Sequence, residues 1–254
     1  MKATDLWHPT KFAQRRGHLD VGPTVSAGTW GMTRLVAEAY EHALGAHARG
    51  RLLDLGCGTV PLYEAYRPYV TEVTCVDWGG SRHGAEHRDL DHDLNEPLPF
   101  PAASFDTVLL SDVLEHIHSP ELLLAEIFRV LAPGGKLLMN VPFLYWLHEQ
   151  PHDFYRYTEH GLRRLVERAG LEVLVLDSLG GAAEVLADVV GKHVQQVPVL
   201  GAPLARALQR AVVTATRPEL VRRALSHSRQ RFPLGYFLVA EAKSGASGKP
   251  GGDG

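Results

Sequence analysis

Apolar residues in this chain fall into short solid runs, and between them lie stretches in which apolar positions recur with helical spacing. "RLLDLG" (51–56), "EVTCVD" (72–77), "FDTVLLSD" (105–112), "KLLMNVPF" (136–143), "LEVLVLDSLG" (171–180) and "GYFLVAEAK" (235–243) read as strands, with a weaker candidate at "EHRDL" (86–90). Leu35, Ala39 and Ala43 predict a helix within 24–48. "PLYEAYRPY" (61–69) predicts another, with Pro61 in the first turn. A third is expected after Ser119, with the Ser as cap and Pro133-Gly134-Gly135 as stop, and a fourth between Thr158 and Gly170. Residues 182–231 are largely helical in pattern, with breaks at Pro198, Pro203 and Pro218. Residues 1–23 read as an irregular arm, and the Gly-rich tail 244–254 is expected to be disordered. Alternating strands and helices predict an α/β fold: a parallel sheet with helices on both faces. The expected divisions are an arm and lid helix (1–48), a core (49–181), a helical cap (182–232), a last core strand (233–243) and the tail.

Composition narrows the possibilities. The net charge of −3 over 254 residues argues against a dedicated nucleic-acid binder. The two cysteines, Cys57 and Cys75, sit in strand-like runs and form no disulfide framework, which suggests a reducing compartment. "MKATDLWHPTKF" has no apolar signal core and no run is long enough to span a membrane, so a cytoplasmic location is expected. Charge is uneven: 86–126 is acidic and 206–231 is rich in Arg. The acidic part could favour a cationic ligand and the basic part a phosphate, although a solvated helix face explains either.

In parallel sheets ligands bind beyond the carboxyl ends of the strands. After the first core strand stand Asp54, Gly56, Cys57 and Gly58, where two glycines allow a sharp turn and close approach to a ligand. About 20 residues on, the second strand ends in Asp77, a position from which a carboxylate can accept from two ribose hydroxyls. The order suits a nucleoside-type ligand. "GCGTVP" departs from the dinucleotide pattern at Val60 and Pro61, so an amino-acid end fits this turn better than a pyrophosphate.

"LLDLGCGT" (52–59), "CVD" (75–77), "DLNEPLPFPAASFDTVLLSDVLEHI" (93–117), "EIFRVLAPGGKLLMNVPF" (126–143) and "HEQPHDFYRYT" (148–158) together resemble the class I S-adenosylmethionine-dependent methyltransferases of the small-molecule type 11 kind. The resemblance spans roughly 35–180 and the last strand. It implies a Rossmann-like, doubly wound seven-stranded sheet with N-terminal lid helices and a helical insertion before the last strand. It also implies S-adenosyl-L-methionine as cofactor. Asp54, Gly56, Cys57 and Gly58 would lie against its methionine end and Asp77 would hold the ribose hydroxyls. Trp78 would flank the adenine, and Asp93 would accept from the adenine amino group beside the Leu94 backbone. Ser111 would line the methionine. A turn role for Asp93 is the alternative reading.

"LYWLHEQPHDFYRYT" (144–158) crowds rings and charges past a strand end without strand or helix period. It is expected to wall the acceptor pocket through Tyr145, Trp146, His148, His152, Tyr155, Arg156 and Tyr157, with His116 nearby. His152 and then His148 are the leading general-base candidates, followed by Asp153 and Tyr155. Asp153–Arg156 pairing and Tyr bracing are the structural alternatives. His148-x-x-x-His152-Asp153 could offer three metal ligands, but on a loop this spacing imposes no shared face, and no metal is expected. Glu115-His116 reads as a pair ordering the pocket wall. The arm, with Trp7, His8, Phe12, Arg15 and Arg16, and Trp30 after it, are expected as a lid over the cofactor. The expected activity is methyl transfer to oxygen or nitrogen of a small-molecule acceptor, in a possible homodimer. A non-methylating cofactor-binding protein and a macromolecular methyltransferase are the competing readings.

Overall fold

The run 235–242 is buried along almost its whole length, which requires neighbours on both edges and both faces. In the computed structural model, which describes residues 4–80, 84 and 86–243, this strand is inserted between two others at one side of a large sheet. The elements are β1 (Phe12–Arg15), β2 (His18–Val21), α1 (Trp30–His47), β3 (Gly50–Leu55), α2 (Tyr63–Tyr66), β4 (Val70–Asp77), β5 (Leu90–Asp91), β6 (Phe105–Ser111), α3 (Pro120–Val130) and β7 (Leu131–Pro142), followed by α4 (Glu159–Arg168), β8 (Leu171–Leu179), α5 (Ala182–Val194), α6 (Gly201–Thr216), α7 (Glu219–Ala224), α8 (Ser226–Arg231) and β9 (Gly235–Ala242). The seven-stranded sheet has the order β5-β4-β3-β6-β7-β9-β8.

Five strands from β5 to β7 pair in parallel, as alternation predicts. β9 is antiparallel to both β7 and β8, so the sheet is mixed rather than parallel throughout. The physical reason lies in register: Leu179 at the end of β8 pairs with Gly235 at the start of β9. The four helices between them are an excursion from one sheet edge that returns to it, and an antiparallel neighbour needs no crossover. The excursion therefore sits beyond the carboxyl ends of the strands.

Period-two alternation divides the core. Leu53, Leu55, Leu137, Met139 and Val141 face α3 and α4, which contribute Leu123, Leu124, Ile127, Leu162 and Val166. Leu52, Leu109, Leu138 and Val239 face the other side, against Val36, Tyr40 and Leu44 of α1 and Tyr66 of α2. The buried stripe of α1 runs through Met32, Val36, Tyr40 and Leu44. Of Leu35, Ala39 and Ala43, whose spacing predicts the helix, Ala43 is buried and Leu35 and Ala39 lie at the margin of the stripe.

Several local expectations give way to tertiary constraints. The arm is not irregular, since β1 and β2 form a hairpin turned at Arg16 and Gly17, both with positive φ. Its Phe12 and Leu19 enter the core against α1. The helix expected over 61–69 shrinks to α2 and a single 3-10 turn, Arg67–Tyr69, because Pro68 cannot continue an α-helix. Ser119 makes no side-chain cap for α3, and its hydroxyl meets His118 instead. α3 stops at Val130 rather than at Pro133-Gly134-Gly135, which lies within β7. Pro203 does not break the chain, since it falls in the first turn of α6. Thr158 caps α4 by accepting from Gly161 N, as its sequence predicts. The expected tail 244–254 lies outside the described residues.

Leu138 is fully buried, with Leu109 and Val239 as its cross-strand partners. Leu138→Ala is expected to cost about 2–5 kcal/mol through lost contacts and a residual cavity, read as a lower urea midpoint at unchanged m-value.

Candidate functional site

Beyond the carboxyl ends of β3, β4, β6 and β7 lies a cavity of about 920 Å³. At its floor Gly56 and Gly58 have positive φ, +66° and +50°. A Cβ at Gly56 would lie 2.5 Å from Val113 Cγ2, so only glycine fits that turn. Gly56 N and Cys57 N both donate to Val76 O, at 2.8 and 3.1 Å, which locks the loop to the end of β4. Gly58 N donates to Asp77 Oδ2 at 3.0 Å and Trp78 N to Asp77 Oδ1 at 2.9 Å, so the carboxylate is aimed before any ligand arrives.

Asp54 is 4% exposed. Tyr66 Oη approaches its Oδ2 at 3.5 Å. Burial, and then the neighbouring Asp77 charge, push its carboxyl up to about 8. The thiol of Cys57, beside Cys75, is also pushed up.

All the residues expected at the cofactor line this cavity: Asp54, Gly56, Cys57, Gly58, Asp77, Trp78, Asp93, Leu94 and Ser111. Asp93 also serves a turn, since its Oδ1 accepts from Asn95 N and Nδ2. Trp78 is 41% exposed and its ring meets His152 edge-on at 5.2 Å.

The aromatic segment divides. Tyr145, His148 and His152 line the cavity together with His116. Trp146, Asp153, Tyr155, Arg156 and Tyr157 do not. Arg156 grips both oxygens of Asp153, at 2.5 and 2.7 Å, and donates to Trp146 O. Burial of Asp153 opposes its ionisation, but the Arg156 guanidinium and the His148 N–H hold its carboxyl down to about 2. Tyr155 Oη donates to His118 O, and the buried Tyr157 Oη to Leu114 O. These side chains brace the segment from behind.

A second group is not apparent from motif spacing. Asn140 is fully buried in β7; its Oδ1 accepts from Tyr40 Oη and Ser111 Oγ, each at 2.9 Å, and its Nδ2 donates to Asp112 Oδ1 at 2.5 Å. Asp112 has φ +52° and its Oδ2 takes Lys11 Nζ at 2.5 Å. Lys11 and Asp112 line the cavity. The available signals were a lone Asn inside the apolar run "LLMNVPF" and an acid just past a strand end.

The arm crosses the glycine loop. Trp7 Nε1 donates to Val60 O at 2.9 Å, and the Thr10 and Thr59 hydroxyls meet at 2.9 Å. Phe12 points into the core, Arg15 and Arg16 are exposed at the hairpin turn, and Trp30 lies under Arg210 rather than at the cavity. The arginines of 206–231 fasten the cap: Arg206 donates to Val25 O, Arg217 pairs with Glu38, and Arg229 donates to Ser178 O. From the cap, Lys192 of α5 places Nζ 3.5 Å from the Tyr145 ring centroid while pairing with Asp188.

A model of the family described as "Methyltransferase domain" matches residues 31–176. The chain belongs to this family, the class I S-adenosylmethionine-dependent methyltransferases. It is 35% identical over 114 residues to a demethylmenaquinone methyltransferase of Renibacterium salmoninarum, a match covering 43% of this chain and 48% of that protein. To a ubiquinone biosynthesis O-methyltransferase of Ruegeria pomeroyi it is 30% identical over 170 residues, covering 56% of this chain and 68% of that one. The match to the first of these thus spans about half of its length. Among solved structures, the [4+2]-cyclase SpnF shares the fold with TM-score 0.54 at 18% identity, over 94% of this chain and 88% of that one.

The folded chain keeps a proton on Asp54 that the unfolded chain releases. Its contribution to stability is full below the ordinary carboxylate range and is lost as pH rises through about 8. Without ligand, urea midpoints are expected to fall between about pH 5 and 8, with Asp54 contributing a slope approaching ~1.4 kcal/mol per pH unit. Asp54→Asn is expected to remove that component.

Proposed function

We propose that this protein transfers a methyl group from S-adenosyl-L-methionine to an oxygen of a small, flat, partly apolar molecule, with nitrogen as the alternative acceptor atom. The observation that carries the reading is the pair of buried carboxylates, Asp54 and Asp77, flanking a glycine turn at the carboxyl edge of the sheet. That cradle suits a ligand with a cationic amino-acid end and a ribose, and a positive partner would draw the proton off Asp54 and stabilise the carboxylate left behind. The two quinone-related relatives support a ring-bearing acceptor.

In this reading Asp77 accepts from the ribose hydroxyls with lone pairs that Gly58 N and Trp78 N leave free. Trp78, Asp93 and Leu94 flank the adenine, and Ser111 and Asp112 bound the methionine. Bound S-adenosylmethionine would supply an electrophilic methyl carbon on a sulfonium; the acceptor oxygen would bond to that carbon as the carbon–sulfur bond breaks, giving a methyl ether and a thioether, with the hydroxyl proton passing to a wall imidazole or to water. The protein's share is positioning and exclusion of water. Tyr145 and Phe154 offer ring faces, and His116, His148 and His152 offer nitrogens at the acceptor side. His152, edge-on to Trp78, stands nearer the adenine side, whereas His148 contacts Tyr145, with ring centroids 5.5 Å apart. His148 therefore takes precedence over His152 as the group nearest the acceptor. Asp153 and Tyr155 act as braces of the wall.

Calorimetric titration with S-adenosylmethionine and S-adenosylhomocysteine tests this. The wild type is expected to bind both, and Asp77→Ala to weaken both by about 10–100-fold, the worth of a charge-assisted hydrogen bond. Failure of the wild type to bind either compound would sink the reading.

A further inference from the structure

Glu115 is 0% exposed, and neither carboxylate oxygen has a hydrogen-bond partner. A bare buried carboxylate is costly unless something positive completes it. Two imidazole nitrogens approach its Oε1 without reaching hydrogen-bond distance: His148 Nε2 at 3.6 Å and His116 Nε2 at 3.7 Å. One donor atom from each of these three residues lies within 4.8 Å of the other two. We propose that Glu115, His116 and His148 form a binding site for one divalent transition-metal ion, of the zinc class, set in the acceptor wall of the cavity.

Three features support this beyond proximity. The separations suit the chemistry, because ligands bound at about 2.0–2.1 Å around a tetrahedral ion lie roughly 3.3–3.4 Å apart. Closing the two carboxylate–imidazole distances, 3.6 and 3.7 Å, to that value needs a few tenths of an ångström, and the two imidazoles, whose donor atoms lie within 4.8 Å, must close by up to about 1.4 Å through side-chain rotation. One outer nitrogen is held, since His116 Nδ1 donates to His152 O at 2.8 Å; the other, His148 Nδ1, lies 3.3 Å from Asp153 Oδ2 without a hydrogen bond and is placed to gain one as the ring turns toward an ion. A backbone carbonyl behind one ligating imidazole and a carboxylate behind the other is the outer arrangement that orients histidine ligands and raises their basicity. Finally, the ligands are tied together by backbone, since Phe154 N and Tyr155 N donate to Glu115 O at 2.9 and 3.2 Å. Two imidazoles and a carboxylate suit zinc, iron, cobalt or manganese rather than calcium or magnesium.

The site differs from the His148, His152 and Asp153 set suggested by spacing. Asp153 stands behind the ligands, and His152 contributes its carbonyl. His116 and His148 line the cavity, so the ion's open position faces the acceptor. This last consequence rests on the methyltransferase reading: an acceptor hydroxyl bound there would be acidified and held for attack. The acceptor class then narrows to molecules presenting an oxygen donor beside an apolar ring.

The test is titration of tag-free, chelator-stripped full-length protein with Co²⁺, followed by visible d–d absorption, with the metal content of Zn²⁺-loaded, desalted protein measured by mass spectrometry. About one ion per chain is expected. Asp153→Asn is expected to weaken binding by about 10–100-fold, and His148→Ala and Glu115→Gln by more. Calorimetric binding of S-adenosylhomocysteine reports separately that each variant is folded. Wild type that binds Co²⁺ no better than a folded His148→Ala variant would overturn the site. S-adenosylhomocysteine binding without Co²⁺ binding overturns the site alone, whereas Co²⁺ binding without S-adenosylhomocysteine binding upholds the site and overturns the proposed cofactor.

Discussion

Carboxyl groups crowded at one sheet edge are the constraint around which this molecule is arranged. Asp54 and Asp77 stand in the last residues of β3 and β4, Asp112 and Glu115 just past β6, and Asp54, Asp77 and Glu115 are buried. Carboxylates so placed need hydrogen bonds or countercharge. Asp77 takes two backbone N–H groups, and Asp112 takes Lys11 and Asn140. Asp54 has one long contact with a hydroxyl, and Glu115 has two imidazoles beyond hydrogen-bond reach. The edge is thus electrostatically unfinished at two points, and a cationic ligand at each would complete it.

The arm and the cap enclose that edge. The Tyr40–Asn140–Asp112–Lys11 chain of hydrogen bonds runs from α1, through the sheet, to the arm, so the arm is anchored on the same residues that border the cavity. The cap is held on the other flank by Arg206, Arg217 and Arg229, and it touches the site through Lys192 on the Tyr145 ring. A basic segment that could have been a phosphate site is mostly fastening.

The crowded segment 144–158 makes sense in the same terms. Its inward side chains, Tyr145, His148 and His152, line the cavity, while Asp153, Arg156 and Tyr157 form a bonded backing that fixes them. A segment that must present rings on one side and satisfy its own backbone on the other has no reason to show strand or helix period.

Local chemistry determined much by itself. Solid apolar runs identified the core strands because a strand covered on both faces must be apolar on both. "LDLGCG" and Asp77 located the floor of the cavity because backbone turning and carboxylate reach are properties of those residues and of about 20 positions between them. Thr158 and Gly170 bounded α4 because caps act within one turn. Only tertiary structure decided the rest. The antiparallel placement of β9 depends on where the excursion from β8 returns, and the hairpin of the arm on what α1 offers to Phe12 and Leu19. Asp153 and Tyr155 could each have faced an acceptor, and Arg156 and His118 turn them away. Glu115, legible only as a partner of His116, acquires His148 from 33 residues further along the chain because the segment after β7 folds back over the turn after β6. Contacts of that separation are set by three-dimensional closure, which no local pattern encodes.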